Sequence, residues 1–265
     1  MKKQLLQQRP PYPIESVDNA LRLLQFLRDG GSIRLTDAAE QLQVAASTAH
    51  RLMAMLVYRG FAMQEDSRRY VAGPALGMRA IGAPWLHDLR RCAMEPMEIL
   101  SAQLEETVNL VVRVGVNIRF LATVESRAIL RIGDRTGTVM PAIGASSGKA
   151  LLACEPEDRL ETLYRGRSAQ LAGAALDDEQ WTNLLRELTT VRSLGYALSR
   201  EGTEAGVGAV GVAILGPRSM PLAGLSIATP IGRLDGMLRP DRLALLFHCR
   251  DDISALAAVL PIDTD

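Results

Sequence analysis

The chain has 265 residues, 48% of them hydrophobic and 23% charged, with 30 basic side chains against 30 acidic ones. This near-average composition excludes a disordered, collagenous or rod-like coiled-coil chain, and the length suits two domains of ordinary size. The longest charge-free window, residues 219–232, holds two prolines and falls short of the roughly 18 apolar residues of a membrane span, so no membrane partner is expected. Residues 1–13 carry Lys2 and Lys3 but only Leu5 and Leu6 where an export signal has a long apolar stretch. Cys92, Cys154 and Cys249 are dispersed, which fits a reducing compartment; a cytoplasmic protein is expected. A zero net charge argues against nucleic acid only on average. Residues 1–80 hold 11 basic and 7 acidic side chains, a net of +4 that leaves −4 for residues 81–265, as in two units with different partners.

Residues 1–13 read as a flexible tail. Val17, Leu21, Leu24, Phe26 and Leu27 then recur at helical spacing behind Ser16, a capping residue type. They predict a first helix over 17–28, stopped by Gly30 and Gly31. Thr36 opens a short second helix with Glu40 nearby and Ala38, Ala39 and Leu42 as its apolar stripe. After a tight turn over 43–46, Ser47 caps a third helix. Leu52, Met55 and Leu56 share one of its faces, while Thr48, His50, Arg51 and Ala54 point elsewhere. Gly60 ends it, and a two-stranded hairpin follows, with 61–64 and 70–72 flanking the polar turn 65–69.

Helix, short helix, turn, helix, hairpin is the order of a winged helix-turn-helix, here over 14–75. When such a unit docks, the amino-terminal end of its third helix enters the major groove. Ser47, Thr48, His50 and Arg51 are therefore candidates for contacts with base edges or phosphates, and Arg68 and Arg69 at the hairpin tip for the DNA backbone or minor groove. Each alone reads more readily as solvated surface; their joint spacing reverses that and favours double-stranded DNA. The blocks Ser16-Val17-Asp18-Asn19-Ala20-Leu21, Thr36-Asp37-Ala38-Ala39, Ser47-Thr48-Ala49-His50-Arg51-Leu52, Tyr58-Arg59-Gly60-Phe61 and Arg69-Tyr70-Val71-Ala72-Gly73-Pro74 resemble the DNA-binding half of IclR-type bacterial transcriptional regulators. The resemblance implies that the third helix reads an operator and that the hairpin is the wing. Ala45-Ala46 stands where relatives often carry Pro and a basic residue, which implies one phosphate contact fewer.

Residues 76–91 read as a helical linker with a break, because Gly77, Gly82 and Pro84 interrupt Leu76, Met78, Ile81, Trp85 and Leu89. An effector-binding domain over 92–265 follows. It opens with a helix over 96–106, and then the period changes to two, with strands expected at 110–116, 118–125 and 129–132. Helices are expected at 148–154, 156–164 and 179–194, strands at 207–215 and 222–229, and a closing helix over 241–259 with Leu245, Cys249, Ile253, Leu256 and Leu260 on one face. The fold class is α+β: an amino-terminal winged helix-turn-helix, a helical linker and a mixed sheet-and-helix domain, GAF-like by the resemblance.

The resemblance extends through Met140-Pro141, Ser147-Gly148-Lys149-Ala150-Leu151-Leu152-Ala153, Gly195-Tyr196-Ala197, Glu204-Ala205-Gly206-Val207 and Leu225-Ser226-Ile227-Ala228-Thr229-Pro230, and so spans about residues 14–255. It implies an effector pocket lined by Ser146, Ser147, Ser199, Ala209, Ser226 and Ala228. Relatives that bind small oxo-acids commonly carry an acid at the position of Ser199, Cys at Ala209 and Ser at Ala228. Their loss implies a larger, less polar site for a carboxylate or aromatic metabolite. Arg113, Arg119 and Arg131 are candidate counter-charges, although alternating strand arginines usually face water.

Three other motifs fail on their context. Gly206 to Gly211 spells the dinucleotide fingerprint GxGxxG, but a strand and not a helix continues beyond it. Gly144 to Lys149 has three residues between its glycines where a phosphate loop has four, and Ala150 where that loop has a hydroxyl. Ser146-Ser147-Gly148-Lys149 fits S-x-x-K without the partner motifs of penicillin-binding enzymes. His50, His87 and His248 are scattered, so no metal, cofactor or catalytic set is expected. The expected function is operator binding by a homodimer or a dimer of dimers, controlled by a small-molecule effector. The alternative is an enzyme whose carboxy-terminal catalytic domain is fused to a winged-helix interaction module.

Overall fold

The structure is a computed structural model that describes residues 11–30, 32–65, 67–73, 76, 84–171 and 173–260. Residues 1–10 of the expected tail, Gly31 of the expected helix stop, Asp66 of the expected turn and 77–83 of the expected linker lie outside the described residues. The chain divides into two compact units, residues 1–77 with 171–173, and the remainder.

The amino-terminal unit contains α1 (Glu15–Gly30), β1 (Ser32–Arg34), α2 (Leu35–Leu42), α3 (Ala46–Tyr58), β2 (Ala62–Gln64) and β3 (Arg69–Ala72). Its core joins Leu23 and Leu27 of α1 to Ile33, Ala38, Leu42, Met53, Leu56, Val57, Ala62 and Tyr70. Of the stripe expected on α1, Leu27 lies in the core and Leu24 and Phe26 pack against it, but Val17 and Leu21 stand about half exposed, and Leu23, not among the expected residues, is buried in their place. Two apolar stripes run along this helix, and only packing selects the buried one. Ser16 lies in the first turn and does not cap it, since α1 begins at Glu15.

Thr36, expected to open α2, and Ser47, expected to cap α3, both lie inside their helices. The N-cap positions are Arg34 and Ala45, neither with a side-chain cap bond. Gln43 closes α2 in the left-handed region at φ 56, its N–H reaching the carbonyls of Ala39 and Glu40. On α3 the buried set is Ala49, Met53, Leu56 and Val57, and Met55 is exposed, because positions i, i+4, i+7 and i+8 share a helical face and Met55 falls outside them. The expected hairpin is present with a third strand that was not anticipated: β1 pairs with β3 to give the order β1-β3-β2. Three residues are too few to show a period.

The carboxy-terminal unit begins with α4 (Pro84–Leu104), then β4 (Thr107–Val114), β5 (Asn117–Val124) and β6 (Val139–Pro141). Next come α5 (Ser146–Ala153), α6 (Glu157–Tyr164), α7 (Arg167–Leu171) and α8 (Asp178–Leu194). It finishes with β7 (Ala197–Arg200), β8 (Val207–Leu215), β9 (Pro221–Pro230), the short α9 (Leu234–Met237) and α10 (Pro240–Ala257). Residues 84–91, expected as linker, and the helix expected to start at Pro96 form the single helix α4, with Pro96 inside it. An interior proline costs about 3 kcal/mol. The buried row Leu86, Leu89, Ala93, Met97, Leu100 and Leu104 continues across it, and fully burying each large side chain returns about 1.5–3 kcal/mol.

The sheet is antiparallel throughout, in the order β6-β5-β4-β9-β8-β7. One face packs on α4 and α10 through Leu110, Val112, Val210, Val212, Leu225 and Ile227. The other faces α5, which packs on β7, β8, β9 and β4 and is flanked by α8. The expected strand at 129–132 is absent, and Ile129 and Leu130 are exposed. Its carbonyl groups are taken by side chains in place of a ladder: Thr107 Oγ1 donates to Ile132 O at 2.6 Å and Arg233 to Leu130 O at 2.9 Å. On α10 the buried row is Leu246, Cys249, Ile253 and Ala257, and Leu256 turns outward. The α8 termini follow local chemistry closely. Asp177 and Gln180 form a reciprocal capping box, and Gly195 ends the helix at φ 78.

Candidate functional site

On the amino-terminal unit, Ser47, Thr48, His50 and Arg51 are all exposed along the first turns of α3. Their placement follows from the burial of Ala49 and Met53, which turns the residues between them outward. Arg68 is exposed in the turn between β2 and β3 at φ 61. Arg69, expected beside it at the tip, belongs instead to β3 and is tied back to β1: its Nε donates to Ser32 Oγ at 2.9 Å and its NH2 to Ser32 O at 3.1 Å. These bonds tether its guanidinium to β1, so the two adjacent arginines are not equivalent.

On the carboxy-terminal unit, the cavity side of the sheet is built from small residues. Along β8, Ala209, Gly211 and Ala213 alternate with Val210, Val212 and Ile214; along β9, Gly224, Ser226 and Ala228 alternate with Leu225 and Ile227. A two-residue period sends the large set to the α4/α10 core and the small set toward α5. The approach of α5 is then very close. A Cβ at Gly211 would stand 2.4 Å from the Ser147 backbone nitrogen, and one at Gly224 would stand 2.9 Å from Ser147 Cβ and O. Of the GxGxxG run, Gly211 therefore serves backbone approach along a continuing strand, while a Cβ at Gly208 would meet the Leu234 side chain.

Strand register gathers residues far apart in sequence. Ser199 pairs with Ala209, Ala209 with Ala228, and Ser226 with both Gly211 and Asn109. Together with Ser146 and Ser147 at the start of α5, all six sequence-proposed residues line one cavity that is partly open to solvent. Its polar wall also includes Asn109, Thr203 and Arg135, and its apolar wall Phe120, Met140, Ala145 and Val207. Ser199 Oγ donates to Gly144 O at 2.7 Å, which pins the segment leading into α5. Ser146 Oγ is buried and has no hydrogen-bond partner among the described residues.

The candidate counter-charges lie elsewhere. Arg113 is bound to Glu155 and to Gly115 O at 2.9 Å, Arg131 pairs with Glu125 at 3.0 Å, and Arg119 does not line the cavity. The cation in the wall is Arg135, which sequence reasoning missed: it sits in a polar loop between Gly133 and Gly137, where no period shows direction. Its backbone N–H donates to Thr123 Oγ1 at 3.2 Å, and Thr123 Oγ1 donates to Asn109 Oδ1 at 2.9 Å, so the loop is hung on the sheet beneath the cavity. Lys149, on the same helix as Ser146, is committed to Glu187 at 2.5 Å and to Leu198 O at 2.8 Å. No nucleophile-base pair forms between these two.

Residues 16–66 match the IclR helix-turn-helix domain, and residues 85–255 match the domain described as bacterial transcriptional regulator IclR C-terminal. The chain belongs to the IclR family. Two IclR-type relatives illustrate the extent of the likeness. The glycerol operon regulatory protein of Streptomyces coelicolor is 30% identical over 251 residues, covering 91% of this chain and 95% of that protein. The transcriptional repressor AllR of Escherichia coli is 28% identical over 224 residues, covering 83% and 82%. An IclR transcriptional regulator from Alicyclobacillus acidocaldarius has a solved structure that matches with a TM-score of 0.57 at 26% identity, covering 93% of this chain and all of that one. As an IclR-family chain with a helix-turn-helix and a curled-sheet, GAF-like domain, the molecule is a DNA-binding transcriptional regulator. No helix among the described residues is long and apolar enough to cross a membrane.

Proposed function

We propose that this regulator is controlled by a small carboxylate with an apolar or aromatic body, held in the cavity against α5. Arg135 supplies the counter-charge, Ser146, Ser147, Ser199 and Ser226 supply hydrogen bonds, and Ala209 and Ala228 leave room for apolar surface beside Phe120 and Met140. The observation that carries this reading is the cavity itself, which combines a buried unpartnered hydroxyl, a single arginine and an apolar wall. Ligand pockets are typically apolar with a few placed polar groups. Ser47, Thr48, His50 and Arg51 read the operator and Arg68 holds a phosphate, while Arg69 acts mainly within the wing sheet. The protein works in the cytoplasm and has no catalytic role. The commitment of Lys149 to Glu187 and Leu198 O, with Ser146 Oγ unpartnered among the described residues, supports this against the enzyme alternative.

The operator is gripped by a homodimer or a dimer of dimers. Val17 and Leu21 lie one turn apart on an exposed face of α1, with Ile14 also exposed nearby, and apolar surface of this kind suits a second copy. Two reading helices then meet half-sites roughly 34 Å apart or multiples of that.

The test is fluorescence anisotropy on a labelled promoter fragment, with and without a carboxylate panel, at several salt concentrations. Affinity should fall steeply with salt, by about a thousandfold between 50 and 200 mM if six or more phosphates are contacted. At least one acid should shift operator affinity severalfold. Salt-independent binding overturns the DNA assignment, and indifference to every acid overturns the effector assignment.

A further inference from the structure

We propose that Glu204 is a built-in occupant of the carboxylate seat on Arg135, and that an acid ligand enters the cavity by displacing it. This rests on the reading of the cavity as an effector site and names the chemistry of its polar end. Arg135 NH2 and Glu204 Oε2 are 2.5 Å apart, yet the two side chains differ sharply in environment: Arg135 is 15% exposed and Glu204 59%. The arginine belongs to the cavity wall, anchored through Thr123 and Asn109 to the sheet. The glutamate reaches it from the surface segment between β7 and β8. Its neighbour Thr203 lines the cavity, so the acid lies at the rim of the same space.

Such an arrangement is a weak internal pair. An ion pair with one largely solvated partner gains little, because water competes for the glutamate at small cost. A ligand carboxylate lodged against Arg135 can take the same guanidinium hydrogen bonds at a less solvated position, where charge-assisted bonds are stronger. Ser146 Oγ, 2% exposed by residue and without a partner among the described residues, offers a second contact to such a ligand. Phe120 and Met140 offer an apolar surface for its body.

Two selectivities follow. A neutral isostere brings no opposing charge to Arg135 and makes the weaker bond, so an acid is preferred to its amide. Removing the charge of Glu204 removes the competitor, so acids bind more tightly.

The experiment is isothermal titration of the full chain with benzoate, hexanoate and benzamide, using the wild type, Glu204→Gln, Arg135→Gln and Arg135→Lys. Benzoate or hexanoate should bind Glu204→Gln about two- to fivefold more tightly than wild type, the range that the loss of an exposed pair represents. Benzamide affinity should not change. Arg135→Gln should lose the preference for acid over amide, and Arg135→Lys should keep most of it, which separates charge recognition from a folding defect. Equal or weaker acid binding by Glu204→Gln overturns the proposal, as does the absence of acid binding to that variant or an acid preference that survives in Arg135→Gln. Failure of the underlying reading looks different: acids bind with the expected pattern but leave operator affinity of the wild type unchanged.

Discussion

In the amino-terminal unit the candidate contact groups stand outside the core, whereas in the carboxy-terminal unit they are part of it. Ser47, Thr48, His50 and Arg51 project from a helix whose opposite face, Ala49, Met53, Leu56 and Val57, does the packing. Ser146, Ser147, Ser199 and Ser226 are buried, and they sit where α5 rests on glycines of the sheet. The difference teaches which functional changes can be made without touching stability. On α3 reading and folding use different faces; beneath α5 one packed surface both shapes the cavity and holds the unit together.

The largest expected effect lies within the second unit. Glu106 is buried and held by Arg233 at 2.7 and 2.9 Å and by Thr229 at 2.8 Å. Arg233→Ala leaves that carboxylate with the Thr229 hydroxyl as its one remaining bond among the described residues. With an allowance for the partial exposure of Arg233, the expected loss is about 2–3 kcal/mol in denaturant unfolding. A loss near zero would mean that water reaches Glu106 and that this unit is less closed than described. Gly211→Ala comes next, at about 1–3 kcal/mol, because the backbone of α5 must move away from the added methyl. The same variant should alter acid binding, and unchanged binding would separate cavity from packing and so break the comparison.

Arg51→Ala sharpens the other side. Operator affinity should drop about tenfold, within the 1–3 kcal/mol of a good base contact, while unfolding stability stays within about 0.5 kcal/mol. Arg68→Gln and Arg69→Ala form a finer test on neighbouring residues. The first should lower the salt dependence of DNA binding by about one counterion with no effect on unfolding. The second should cost about 1 kcal/mol of stability through its bonds to Ser32. Equal behaviour of the two would contradict the tethering of Arg69.

At neutral pH the smallest expected effect concerns Cys249. Burial, with a minor contribution from the Asp252 charge, pushes its thiol from 9.0 up to about 12. The native state therefore keeps a proton that the unfolded chain releases. The associated stability is fully present below about pH 9 and is lost as pH rises toward about 12. At neutral pH iodoacetamide should modify Cys249 only after unfolding, and rapid native labelling would show that the α10 core opens.

Much of this organisation was legible in local sequence. The order of helices and hairpin in the winged unit, the helix near 179–194 and the strands at 207–215 and 222–229 follow from periodicity, which acts over a few residues, whereas the capping box of Asp177 and the stop at Gly195 came only with the structure. The resemblance named Ser146, Ser147, Ser199, Ala209, Ser226 and Ala228, and the structure brings them around one cavity. Arg135 was not legible, because a polar loop carries no period that points a side chain inward. Nor were β1 and the merger of two expected helices through Pro96, where long-range pairing and a continuous buried row outweigh a short or interrupted signal.

By itself, then, the sequence determined the two-unit α+β plan and which residue types line α3, since both rest on local spacing. Only the tertiary structure decided which of two apolar stripes on α1 is buried, that Arg69 serves the sheet, and that Arg135 and Glu204 meet at the cavity. Those outcomes depend on register and close approach between segments up to 69 residues apart, distances over which local propensity carries no information.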